Sequence, residues 1–181
     1  MGEAQEERQR TEVQSGDLLL AAELEALNLA PLSRITAGPE ADDILVWRAF
    51  VLGEEGSPFD GGIFTMRLVF TTSWPEVPPE IRFLTSMFHP GVNPETGRTS
   101  LAAMGLSKLG ERKTHDDEIE RLTVRRILEA TVNFLSKSAY IPLQHSRISA
   151  HIFNDKAYGQ IAKDLRGFEE TASRWTFAYA K

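Results

Sequence analysis

The chain has 181 residues, 41% of them hydrophobic and 25% charged, the size and composition of one ordinary globular domain. Its net charge of −6 argues against nonspecific binding to nucleic acid, which calls for a basic face. It has no cysteine, which excludes disulfides, thiolate metal sites and thiol catalysis together.

No apolar run approaches the ~20 residues of a membrane-spanning helix. The opening MGEAQEERQR is too polar for a secretory signal, and Glu6 stands where a myristoylation pattern needs Ser or Thr. A cytoplasmic or nuclear location is expected, with neither membrane nor nucleic acid as partner. His89, His115, His145 and His151 are scattered without zinc-ligand spacing, so no metal and no cofactor is expected.

In chain order, residues 1–16 read as a polar, frayed N-terminal tail, and 17–181 as the domain. Leu18, Leu19, Leu20, Leu24 and Leu27 recur near helical spacing, which predicts a helix over 17–29, ended by Ala30-Pro31. A strand is expected around Arg34–Gly38 and another over the strand formers Ile44–Leu52. The turn signals between Gly53 and Gly62 precede a third strand over 63–70, where Phe64, Met66, Leu68 and Phe70 alternate. Pro75, Pro78 and Pro79 interrupt regular structure before a fourth strand, Glu80–Leu84. Residues 90–121 read as a long loop carrying glycines and charges, and such a stretch within a domain is usually functional or mobile. Val124, Ile127, Leu128, Val132 and Leu135 form a helical apolar face. Residues 136–153 fit no single pattern and Pro142 interrupts them, after which Asp155–Ile161 and Leu165–Ala180 read as closing helices. The plan is α+β, an antiparallel sheet with helices segregated to one face or end.

Several ordered segments resemble one family. Ser57-Pro-Phe-Asp-Gly-Gly-Ile-Phe64 is similar to the S-P-[YF]-x-G-G-x-F segment of ubiquitin-conjugating enzymes, and Trp74-Pro-Glu-Val-Pro-Pro79 resembles their Y-P-x-x-P-P loop. Ile81–Thr85, Phe88-His-Pro90 and the terminal Glu170–Ala180 follow in the family's order. The resemblance implies an N-terminal helix, a four-stranded antiparallel meander, an active-site loop and C-terminal helices.

In that family a thiol carries ubiquitin as a thioester, and an Asn amide two residues after the His supports the oxyanion. Carried over, the thiol position is Ser100 and the Asn position is Gly91, while His89 is expected to be structural. A serine hydroxyl is almost wholly protonated at neutral pH and needs an adjacent base to attack. Loss of one oxyanion donor in acyl-transfer sites costs on the order of 10²–10³ in rate. Other features depart in the same direction. Residues 1–29 hold seven acids against Arg8 and Arg10, where relatives present basic residues to their activating enzyme. Glu76 replaces an apolar contact used against ligases. The loop from Ser100 to Thr123 is longer than in a minimal member and carries Asp116, Asp117 and Glu118, which match an acidic insertion in some active members.

Thr36 matches a sheet position where some members bind a second ubiquitin. Together with Trp74, Glu76 and Pro78 it makes up the remaining candidate contacts, although each Trp falls on a family packing position. The reading is a non-catalytic binding or scaffold module. Its expected partners are ubiquitin or a ubiquitin-like protein, an active conjugating enzyme, or a ligase complex. The alternative is an active transferase in which Ser100 replaces a natural cysteine.

Overall fold

Alternation of apolar and polar residues sets one face of each strand inward, and the turns between them fold the strands back on their neighbours. The computed structural model describes residues 3–106, 122–140 and 152–181, with side chains from Gly16 onward within them. Strands β1 (Ile35–Glu40), β2 (Asp43–Leu52), β3 (Ile63–Val69), β4 (Glu80–Phe83) and β5 (Arg98–Thr99) form one antiparallel sheet in sequence order. The four expected strands are all present, but the sheet has five rather than four. The fifth is made by a turn. Asn93 Oδ1 accepts from the Glu95 and Thr96 amides, and Gly97 takes a φ of +70° that returns the chain onto β4. Arg98 then pairs with Arg82 and Thr99 with Ile81.

Helix α1 spans Glu3–Leu29, so the tail expected to fray before residue 17 is helical from Glu3. No proline interrupts this stretch, and its Glu, Gln, Arg and Ala residues favour helix despite their polarity. Leu20 and Leu27 of α1 are buried in the core. Helix α2 (Val124–Phe134) starts at Thr123, whose side chain accepts from the Arg126 amide. A short α3 (Lys137–Tyr140) follows; α4 (Asp155–Lys163) and α5 (Leu165–Tyr179) close the chain. Asn154 and Asp164 cap these last two helices, accepting from the Ala157 and Gly167 amides.

The core lies between the inner face of the sheet and the helices. Trp47, Ala49, Val51, Phe64, Met66 and Leu68 line the sheet side, and Ile127, Leu128 and Phe134 of α2 face them. From α5, Phe168 and Ala172 are fully buried, and Thr176 donates to the Pro58 carbonyl at 3.0 Å. That bond fixes the Ser57–Gly62 turn, where the Phe59 amide also donates to Ser57 Oγ and Asp60 accepts from the Gly56 amide. Asp60-Gly-Gly62 is thus part of the β2–β3 connection, as its turn signals imply.

Candidate active-site cleft

His89 lies at the start of the cleft with 2% of its surface exposed. Its Nδ1 accepts the Gly91 amide proton at 3.0 Å, so the ring proton sits on Nε2 and is donated to the Phe134 carbonyl at 3.2 Å. Burial pushes the imidazole pKa down from its ordinary 6.5 to about 3, and the Phe134 carbonyl offsets only part of this. The ring is neutral and both nitrogens are engaged, which leaves no lone pair to deprotonate a nucleophile. The adjoining Pro90 carbonyl accepts from the Phe153 and Asn154 amides at 2.9 and 3.0 Å, tying the corner to the start of α4.

Gly91 is closed in by its neighbours. A Cβ at this position would stand 2.8 Å from two ring carbons of Phe134 and 3.3 Å from Ala103 Cβ. The Phe134 ring is itself held, with its centroid 3.9 Å from that of His89 and 6.1 Å from that of Phe83, against which it stacks. The space in which a side chain at 91 would begin is filled by an aromatic ring. The Gly91 amide is also committed to His89, so the residue offers neither a side-chain donor nor a free backbone one.

Ser100 follows β5 and is half-buried. Its Oγ accepts from the Ala103 amide at 3.1 Å, the geometry of a cap on the turn over 101–105. Among the described residues no imidazole or carboxylate bonds the hydroxyl. The serine hydroxyl therefore has a structural bond and, among the described residues, no base. The cleft combines a neutral, saturated histidine, a glycine blocked by an aromatic ring, and an alcohol that shapes a turn.

A profile of the ubiquitin-conjugating enzyme family matches residues 19–175. The chain belongs to the ubiquitin-conjugating enzyme family. Among solved structures it is similar to the E2 domain of a Toxoplasma gondii ubiquitin conjugating enzyme. The two share 25% identity, the match covers 90% of this chain and 97% of that one, and the TM-score is 0.69. The α+β architecture expected from the motifs is that of the E2 fold.

The remaining candidate contacts of this ubiquitin-conjugating enzyme-like chain divide by exposure. Thr36, Glu76 and Pro78 are exposed. Trp74 is 1% exposed and cannot meet a partner, so its place among the contacts is corrected. Its indole packs edge-on against Phe70 at 5.0 Å and donates to Glu23 Oε1 at 3.2 Å. The other Glu23 oxygen accepts from the Val124 amide, so this carboxylate joins α1, the proline-rich loop and the first turn of α2. Burial raises the Glu23 pKa, opposed by these two donors. Asp116, Asp117 and Glu118 lie outside the described residues.

Phe134, which closes the cleft, is absent from the apolar face read in the sequence. Its spacing of seven from Ile127 places it two helical turns along the same face, and that signal would have found it.

Proposed function

We propose that this chain is a non-catalytic member of its family, acting as a binding or scaffold module in a ubiquitin or ubiquitin-like pathway. Its partners are ubiquitin or a ubiquitin-like protein, an active conjugating enzyme, or a ligase complex, in the cytoplasm or nucleus. The observation that carries the reading is the Phe134 ring packed where a side chain at Gly91 would have to start. A missing thiol alone could be restored by one substitution. A missing oxyanion donor whose space is occupied requires the cleft to be repacked as well.

The test is Ser100→Cys incubated with activating enzyme, ATP and ubiquitin, followed on a nonreducing gel. The expected result is no reducible adduct. A prompt adduct would overturn the non-catalytic reading and favour a transferase whose natural residue at 100 is cysteine. For the binding role, labelled ubiquitin and active conjugating enzymes are titrated against the unmodified chain. Chemical-shift changes are expected with one of them, and none with any at millimolar concentration would remove the pathway from the reading.

A further inference from the structure

The two edges of the sheet differ. At one edge lies the two-residue β5. At the other lies the six-residue β1, which pairs with β2 on one side and, among the described residues, with no strand on the other. The Leu52 amide donates to the Arg34 carbonyl at 2.9 Å, and with Ile35 opposite Val51 this fixes where the backbone groups point. Arg34, Thr36 and Gly38 turn theirs towards β2, whereas Ile35, Ala37 and Pro39 turn theirs outward. The free edge therefore offers the amides of Ile35 and Ala37 and the carbonyls of Ile35, Ala37 and Pro39. Pro39 has no amide proton to offer. An open row of this kind is a template for another strand.

Charge and shape select the strand that fits. Arg34 immediately precedes β1 and Glu40 ends it. The Arg34 guanidinium is exposed and donates to the Leu52 carbonyl, but among the described residues it has no carboxylate partner. Glu40 lies on the same side of the sheet, against Arg48 and Arg67. When one β1 meets a second antiparallel copy with Ala37 opposite Ala37, Arg34 of each copy falls opposite Glu40 of the other. The irregularity between Pro39 and Glu40 then lies at the end of the paired stretch. Ile35 falls opposite the second copy's Pro39. A cavity of 150 Å³ runs beside this edge, lined by Leu27, Pro31, Leu32, Ile35, Ala37 and Leu128. An aliphatic cavity of that size holds a benzene-sized group, and a proline ring is of that class.

We propose that two copies of this chain join antiparallel along the β1 edge, so that one sheet continues into the other. The Ala37 amide donates to the second copy's Ala37 carbonyl, and the Ile35 amide to the second copy's Pro39 carbonyl. Two-fold symmetry repeats both bonds and both Arg34–Glu40 pairs. The Ile35 carbonyl faces the proline nitrogen and is left to water. The junction uses the rim of the sheet and no cleft residue, so its failure leaves the non-catalytic reading standing.

The unmodified chain is followed by sedimentation equilibrium and by amide hydrogen exchange from micromolar to millimolar concentration. The mass is expected to rise from 20.2 kDa towards twice that value, with exchange at Ile35 and Ala37 slowing in step. A chain that stays monomeric at millimolar concentration overturns the proposal. So does a dimer in which those two amides exchange as fast as in the monomer. Neither readout needs a variant. Because the chain has no cysteine, Ala37→Cys sets a single thiol opposite its own copy, with Cα atoms ~5.5 Å apart and within disulfide reach. Copper-catalysed air oxidation should crosslink it faster than Thr36→Cys, whose symmetry mate is a diagonal neighbour ~7–8 Å away. The reverse order overturns the register. Arg34→Glu sets two carboxylates against each other at both ends of the junction and should weaken association about tenfold. Unchanged association of that variant overturns the charge-paired register.

Discussion

The two ends of the cleft are built on different physical terms. At the His89 corner every polar group is buried and bonded: Nδ1 to the Gly91 amide, Nε2 to the Phe134 carbonyl, and the Pro90 carbonyl to two amides leading into α4. At Ser100 the hydroxyl is half-buried and, among the described residues, bonds to the Ala103 amide alone. Buried hydrogen-bonded groups are expensive to alter because each lost partner leaves an unsatisfied group behind. Half-exposed ones are cheap to alter because water substitutes. His89 is thus tied to the fold far more firmly than Ser100 is.

Substitutions at the two ends sharpen this contrast. The largest loss is expected for His89→Ala, which strands the Gly91 amide and Phe134 carbonyl and opens a cavity beneath the Phe134 ring. Urea denaturation should show a destabilisation of about 2–4 kcal/mol. A loss comparable to that at Ser100 would erase the distinction between the two ends. Gly91→Ala forces a methyl into the Phe134 ring and should cost about 1–3 kcal/mol. Adding Phe134→Leu should recover part of that loss, so the double variant is more stable than the two single effects summed, and strict additivity would show that the ring is not the obstacle.

Acid should discriminate the ends as well. The folded pKa of His89, about 3, lies below its ordinary 6.5, so the folded state binds fewer protons than the unfolded one. The stability held there is complete above the unfolded value and is lost as pH falls from 6.5 towards 3. The urea midpoint should therefore drop between pH ~7 and ~5, above the usual carboxylate range, and His89→Gln should flatten that slope. Glu23 works in the opposite sense. Its folded pKa is raised, so its contribution is complete below the unfolded value and declines as pH rises through the folded one. Running the pH series in a Glu23→Gln background removes this opposing trend, so stability should fall more steeply with acid just above the ordinary carboxylate value of 4.5. The smallest effect is expected for Ser100→Ala, which loses one turn-capping bond worth about 0.5–1 kcal/mol in thermal or urea unfolding. A cost above that of Gly91→Ala would mean that Ser100 carries more of the fold than its single bond accounts for.

Local patterns made much of this molecule legible. The alternation of Phe64, Met66 and Leu68 gave a strand whose inner face is fully buried, and the Gly-rich stretch before it gave the turn that Ser57 and Asp60 stabilise. The spacing of Val124, Ile127 and Leu128 gave α2 and its buried side. Elements that depend on more distant partners were harder to read. Arg98-Thr99 has no strand signature of its own and becomes a strand because Gly97 turns it onto β4. Trp74 sits among exposed loop residues, and the partner that fixes its buried indole, Glu23, lies 51 positions away in sequence.

The sequence by itself determined the α+β class, strands β1 to β4 and the absence of any thiol, because hydrophobic period, turn residues and residue identity are local properties. Only the tertiary structure decided that Gly91 is blocked rather than merely short, since the ring that blocks it arrives from α2. It alone also decided that Arg48, Arg67, Arg82 and Arg98 lie side by side across four strands. Cross-strand register is set by the turns and the buried face acting together, and no single segment contains that information.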